Sequence, residues 1–199
     1  NGNNATRNVD VNTNGTNGLN VMGGAIIIEG SYVDITFNNF TYNTAQGTIA
    51  SDGLGGAIAI EGHNVAIDTN IVHNNQAVSG GAIYINGPHA LITNINFITN
   101  YAIRGGGVFI NGLNTNIRNV LFMHNNATHD LSFNISDEIK AFACIGGAVT
   151  INGNNSVLEN VNFTNNTAIG IHVFGGLGGA IAVNGFNSTI ANVDFTFNE

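Results

Sequence analysis

The densest charge in this chain of 199 residues lies in one stretch, where His129, Asp130, Asp137, Glu138 and Lys140 follow one another within a dozen positions. Two carboxylates a few ångströms apart can share acid and base duty in cleaving a glycosidic bond. Carboxylates around a calcium ion, with a Lys or Arg as base, would suit a polysaccharide lyase. The plainer reading is a solvated loop. Asp130, Asp137 and Glu138 are nevertheless the candidate ligand contacts of this segment.

The remaining reactive side chains are scattered and gain meaning only if the fold gathers them. They are Glu29, Glu61, Asp68, Glu159, Arg104, Arg118, the single Cys144, and the histidines at 63, 73, 89, 124, 129 and 172. The elements that position them can be read from an internal repeat, which decides the fold before any single residue does.

The phrases GGAIIIEG, GGAIAIEG, GGAIYING, GGGVFING, GGAVTING and GGAIAVNG begin at Gly23, Gly55, Gly80, Gly105, Gly146 and Gly178. Their second glycines are spaced by 32, 25, 25, 41 and 32 residues, a unit of 25 residues lengthened in three copies. Aligned on that glycine, Ile35, Ile67, Ile92, Ile117, Leu158 and Ile190 share one column, and Phe40, Val72, Phe97, Phe122, Phe163 and Phe195 another. Asn43, Asn75, Asn100, Asn125, Asn166 and Asn198 form a third, followed by an Ala column from Ala45 to Ala168.

Short apolar alternations bounded by Gly and Asn are strand-and-turn punctuation. The long 3.6-period runs of a helical solenoid are absent from the sequence. Columns of identical residues arise when a coiling chain stacks equivalent positions one strand spacing apart, about 4.8 Å. The fold expected is therefore all-β: a right-handed, single-stranded parallel β-helix of about six coils, with its extra loops inserted at one corner. Residues 1–21 read as a partial N-terminal coil or lead-in and 22–199 as the repeat domain, expected to be a fragment of a longer solenoid. Each Asn-Gly step should turn a corner, since Gly tolerates positive φ. The Asn column should be a ladder of stacked amides, with a second one at Asn94, Asn119, Asn160 and Asn192. A structural role is the reading for both.

The columns also sort the reactive residues. Glu29 and Glu61 become outward neighbours in a row continued by Asn86, Asn111, Asn152 and Asn184. Two carboxylates so placed repel unless a cation sits between them, which makes them the candidate ligands of weakly bound Ca²⁺; no other cofactor is expected. Asp68, Arg118 and Glu159 share a further outward row, with Thr93 between the first two. No two histidines share a row, so the converging ligands of a zinc centre are not expected. Tyr84 and Phe109 fall side by side in the outward row from Ile27 to Ala182. They are candidate ligand-binding residues, a platform for a sugar unless a loop, a glycan or another chain covers them. Cys144 stands where Val78 and Ile103 stand in other coils and reads as a small buried hydrophobe.

Composition excludes some partners. A net charge of −8 with four Lys and Arg cannot supply the basic contacts that hold nucleic acid. No amphipathic basic helix suits a membrane surface, and no membrane-inserting stretch is seen. Sequons stand at Asn4, Asn14, Asn39, Asn126, Asn134, Asn154, Asn162, Asn165 and Asn187, candidate glycosylation sites in an extracellular setting. The three lengthened coils add residues at 46–54, 128–145 and 169–177, which places every long loop on one edge and makes that edge a natural binding face.

The GGA[IV]-type phrases pair with a downstream FxxN, Phe40 to Asn43, Phe97 to Asn100, Phe122 to Asn125, Phe163 to Asn166 and Phe195 to Asn198, with Val72 to Asn75 as the deviant copy. This pairing resembles the repeat signature of the chlamydial polymorphic outer-membrane proteins. The Asn- and Ile-rich style is still more similar to the large adhesin-like surface proteins of methanogenic archaea. The resemblance runs from about Met22 to the end. It implies a surface-exposed β-helix and, by association, adhesion to a cell-surface glycan or protein receptor or to neighbouring copies. These residues carry no outer-membrane barrel, transmembrane stretch or anchor. A polysaccharide lyase or hydrolase is the enzymatic alternative, and a structural stalk or self-assembling sheath the other.

Overall fold

The computed structural model describes residues 22–47, 53–132, 143–170 and 175–199. They form a parallel β-helix whose strands run in parallel, in-register stacks. The first face is a six-stranded sheet of Ile26–Glu29, Ile58–Glu61, Ile83–Asn86, Val108–Asn111, Val149–Asn152 and Ile181–Asn184. Val108 pairs with Ile83 on one side and Val149 on the other, so the aligned columns are the observed register. Alternation sends Ile58, Ile60, Ile83 and Ile85 into the interior, where they are fully buried.

The Ile and Phe columns share one sheet. In the early coils the segment is split, as in Val33–Thr36 and Asn39–Thr41; in the later ones it is the single strand Asn116–Met123, Val157–Thr164 or Thr189–Thr196. The residue between the two halves, Asn119 or Asn160, sits in the left-handed region at φ 54 and bends the strand without ending it. A third face is short, built from Thr44–Ala45, Gln76–Ala77, Tyr101–Ala102, Asn126–Thr128 and Thr167–Ile169. Its link back to the next Gly-Gly carries the added residues, so the loops do leave from one edge.

Corner chemistry differs from the sequence expectation in a specific way. The glycine ending every first-face strand after the first is needed for close approach: a Cβ at Gly112, for example, would fall on the carbonyl oxygen of Gly87 one coil below. Left-handed turns are made elsewhere, by the first glycine of each pair, as at Gly80 with φ 65, and by three further residues five apart. In the third coil these are His89, Asn94 and Thr99; in the fourth, Asn114, Asn119 and His124. Asn tolerates this region because its short side chain hydrogen-bonds locally.

Inside, Phe97, Phe122 and Phe163 stack, and the half-exposed Phe195 of the last coil extends the row, with centroids 4.9, 5.1 and 5.2 Å apart and nearly parallel rings. The Asn column runs beside them as a buried ladder. Each Nδ2 donates to the Oδ1 of the next coil, from Asn43 through Asn75, Asn100, Asn125 and Asn166 to Asn198. On the outside, bonds join three of the four members expected in the second ladder, from Asn160 to Asn119 to Asn94. It ends on the Asp68 carboxylate, which accepts from Asn94 at 2.7 Å.

Candidate functional site

The charged loop is described only at its beginning. Asp130 is exposed and its backbone N–H donates to Thr128 Oγ1 at 3.0 Å. Ser132 N–H then donates to Gln76 Oε1 at 2.9 Å, so the chain folds back across neighbouring coils. Asp137, Glu138, Lys140 and the sequon at Asn134 lie outside the described residues, as do Asn4, Asn14 and His172. Leu131 packs on a small second core of Val78, Ile103, Ala127 and Cys144. The Cys144 sulfur lies 3.2 Å from His129 Nδ1. Burial pushes this thiol up to about 11, which leaves it a packed thiol and not a nucleophilic thiolate.

Tyr84 and Phe109 do stack, with centroids 5.6 Å apart and planes 3° from parallel. The exposed platform expected from their row is corrected: Phe109 is only 5% exposed and Tyr84 is half-buried. The Arg104 guanidinium sits 5.3 Å from the Phe109 centroid and covers that ring. Its Nε is fixed by a bond to Ser79 Oγ at 3.1 Å. That face of Phe109 is closed to a sugar while the guanidinium occupies it.

Glu29 and Glu61 are register partners, as the alignment required. Glu61 directs one oxygen to Asn86 Nδ2 at 2.6 Å, and Asn86 in turn accepts from Asn111 at 2.9 Å. Among the described residues no group of three or more His, Cys, Asp or Glu side chains is placed to hold a metal ion. Asp68 accepts from Thr93 at 2.6 Å, Thr69 at 2.8 Å and Asn94. The Thr93 bond foremost, with those of Thr69 and Asn94, holds its carboxyl below the usual range. Arg118 pairs with Glu159 at 3.3 Å in the same row, both partly exposed. Of the described sequons, Asn162 and Asn187 are exposed, while Asn39, Asn126, Asn154 and Asn165 are partly covered.

The feature that sequence reasoning missed is on the first coil. Tyr32, Phe37 and Tyr42 are 80%, 80% and 67% exposed, and all three are left-handed, at φ 60, 58 and 58. Bulky side chains rarely accept that backbone. The signal was available: at these three columns the next coil has Asn64, Thr69 and Asn74. Tyr32 meets His63 edge to face at 5.4 Å, and Tyr42 meets His73 in the same way at 6.1 Å. The fold thus carries a line of three aromatics along the outside of its second face. Family models, curated proteins and solved structures give no match to the chain.

Proposed function

We propose that this chain is a binding module of an extracellular, adhesin-like protein, a stiff β-helix that attaches to a cell-surface glycan or protein through side chains on its flank. The observation that carries the reading is the contrast between inside and outside. The core columns and Asn ladders satisfy one another internally, while Tyr32, Phe37, Tyr42, Ile71 and Leu91 stand exposed on a single flank. Exposed apolar side chains grouped on one surface mark interaction sites.

Three of the carboxylates that would serve a cleavage reaction have other partners. Glu61 anchors the Asn86–Asn111 row, Asp68 ends the outer Asn ladder, and Glu159 faces Arg118. The resemblance to adhesin-like repeat proteins supports the same reading, and glycans at Asn162 and Asn187 would be compatible with it. The test is retention of cell-wall and host polysaccharides, and of glycan-free surface proteins, on the immobilised chain. Retention of at least one class is expected; retention of neither would overturn the reading.

A further inference from the structure

Resting on that attachment reading, we propose that the first two coils carry its ligand site, a rail on which an uncharged polysaccharide lies along the second face and stacks on Tyr32, Phe37 and Tyr42. The three rings occur at five-residue steps, so neighbouring rings stand at most about 16 Å apart at roughly 3.3 Å per residue. Each has a polar companion one coil away: His63 beside Tyr32, Asp68 in the middle of the face, and His73 beside Tyr42.

The companions are oriented. Asn64 Nδ2 lies 2.7 Å from His63 Nδ1, and Asn74 Nδ2 lies 2.9 Å from His73 Nδ1. An amide donor at Nδ1 leaves the ring proton on Nε2, which makes each histidine a donor on its far side. Asp68 is fixed by three donors and supplies acceptor oxygens between them. Aromatic rings alternating with hydrogen-bonding groups match a sugar chain, whose apolar ring faces are rimmed by hydroxyls.

Spacing and charge select among ligands. The centre of a protein interface is a contiguous apolar patch, whereas these rings are separated by the polar Asp34, Thr36 and Asn39. Residues 22–79 contain no Lys or Arg, so this surface offers no counter-charge to a sulfated, phosphorylated or uronic-acid polymer. The left-handed strain at three aromatics of one coil is a cost that structural need does not explain, because the other coils make the same turns with Asn, Thr or His everywhere except at Phe197 in the last.

The experiment is titration of the chain with soluble neutral glucan, mannan, galactan and chitin oligomers, and with polygalacturonate, read by calorimetry. The variant is Tyr32→Asn with Phe37→Asn and Tyr42→Asn, which installs residues the same turns use elsewhere and so preserves the fold, as a thermal melt will verify. Binding of at least one neutral polymer, weakened tenfold or more in the variant and unchanged in Tyr84→Asn, is the expected result. Unchanged affinity in the triple variant, or binding of polygalacturonate alone, would overturn the site. A chain that retains a protein surface and binds no polysaccharide would overturn this inference and leave the attachment reading standing.

Discussion

Asn125 Oδ1 accepts twice from Asn100, at 2.9 Å from its Nδ2 and at 3.1 Å from its backbone N–H. The same Asn125 donates through Nδ2 to Phe97 O at 2.9 Å and to Asn166 Oδ1 at 3.0 Å. One side chain therefore satisfies two backbone groups of the preceding coil at a bend where the strand ladder has no partner to offer. Asn125→Ala leaves several buried groups unpaired, each costing about 1–3 kcal/mol. A loss of at least about 3 kcal/mol in denaturant unfolding is expected, and Asn125→Asp should not restore it, since an oxygen replaces the donor that faces Phe97 O.

Phe122 lies between two rings of the stack, Phe97 and Phe163, and is fully buried. Removing it opens a cavity that the flanking coils cannot close without breaking register. Phe122→Ala is expected to cost about 3–5 kcal/mol, read from the midpoint of chemical unfolding, whereas Phe122→Leu should cost less.

The three left-handed aromatics of the first coil give a prediction of opposite sign. Asn accepts the left-handed backbone more readily than Tyr or Phe, and these rings are mostly exposed. Phe37→Asn alone should raise stability by about 1 kcal/mol, seen as a higher melting temperature. A fall would mean that the ring packs on the solenoid and is not held out for a ligand.

Cys144 sets a pH dependence. Its thiol is raised from 9.0 to about 11 by burial. Between those values the unfolded chain has lost this proton and the folded chain has kept it, so this contribution to stability is present below pH 9 and falls as pH rises toward 11. Folded protein at pH 8 should react with iodoacetamide far more slowly than unfolded protein. Cys144→Ala should flatten the alkaline limb of the stability profile.

The coil architecture was legible because burial leaves columns. Ile117 and Phe122 recur at fixed offsets from Gly106, and an Asn such as Asn125 can recur in every coil only if its neighbours above and below are its partners. The Cys144 position was legible for the same reason, through Val78 and Ile103. Other features depend on what a column cannot report. That the Ile and Phe columns share one sheet depends on a single left-handed residue, such as Asn119, bending a strand without stopping it. That Phe109 is covered depends on Arg104, which lies before the glycine pair and reaches over from the bridge linking Ser79 and Arg104. Tyr32, Phe37 and Tyr42 were hidden because conformational preference argues against aromatic residues in left-handed turns. Only departures from the column, not the column itself, point to them.

The most direct measurement is the passage of neutral polysaccharides and of glycan-free surface proteins over the immobilised chain, with retention and polymer length recorded before and after contact. Retention of a polymer recovered at its original length is the expected result for an attachment module. Shortened polymer would mean catalysis. Free passage of every polysaccharide and every surface protein would mean that the exposed flank has no ligand and that attachment is not what this β-helix does.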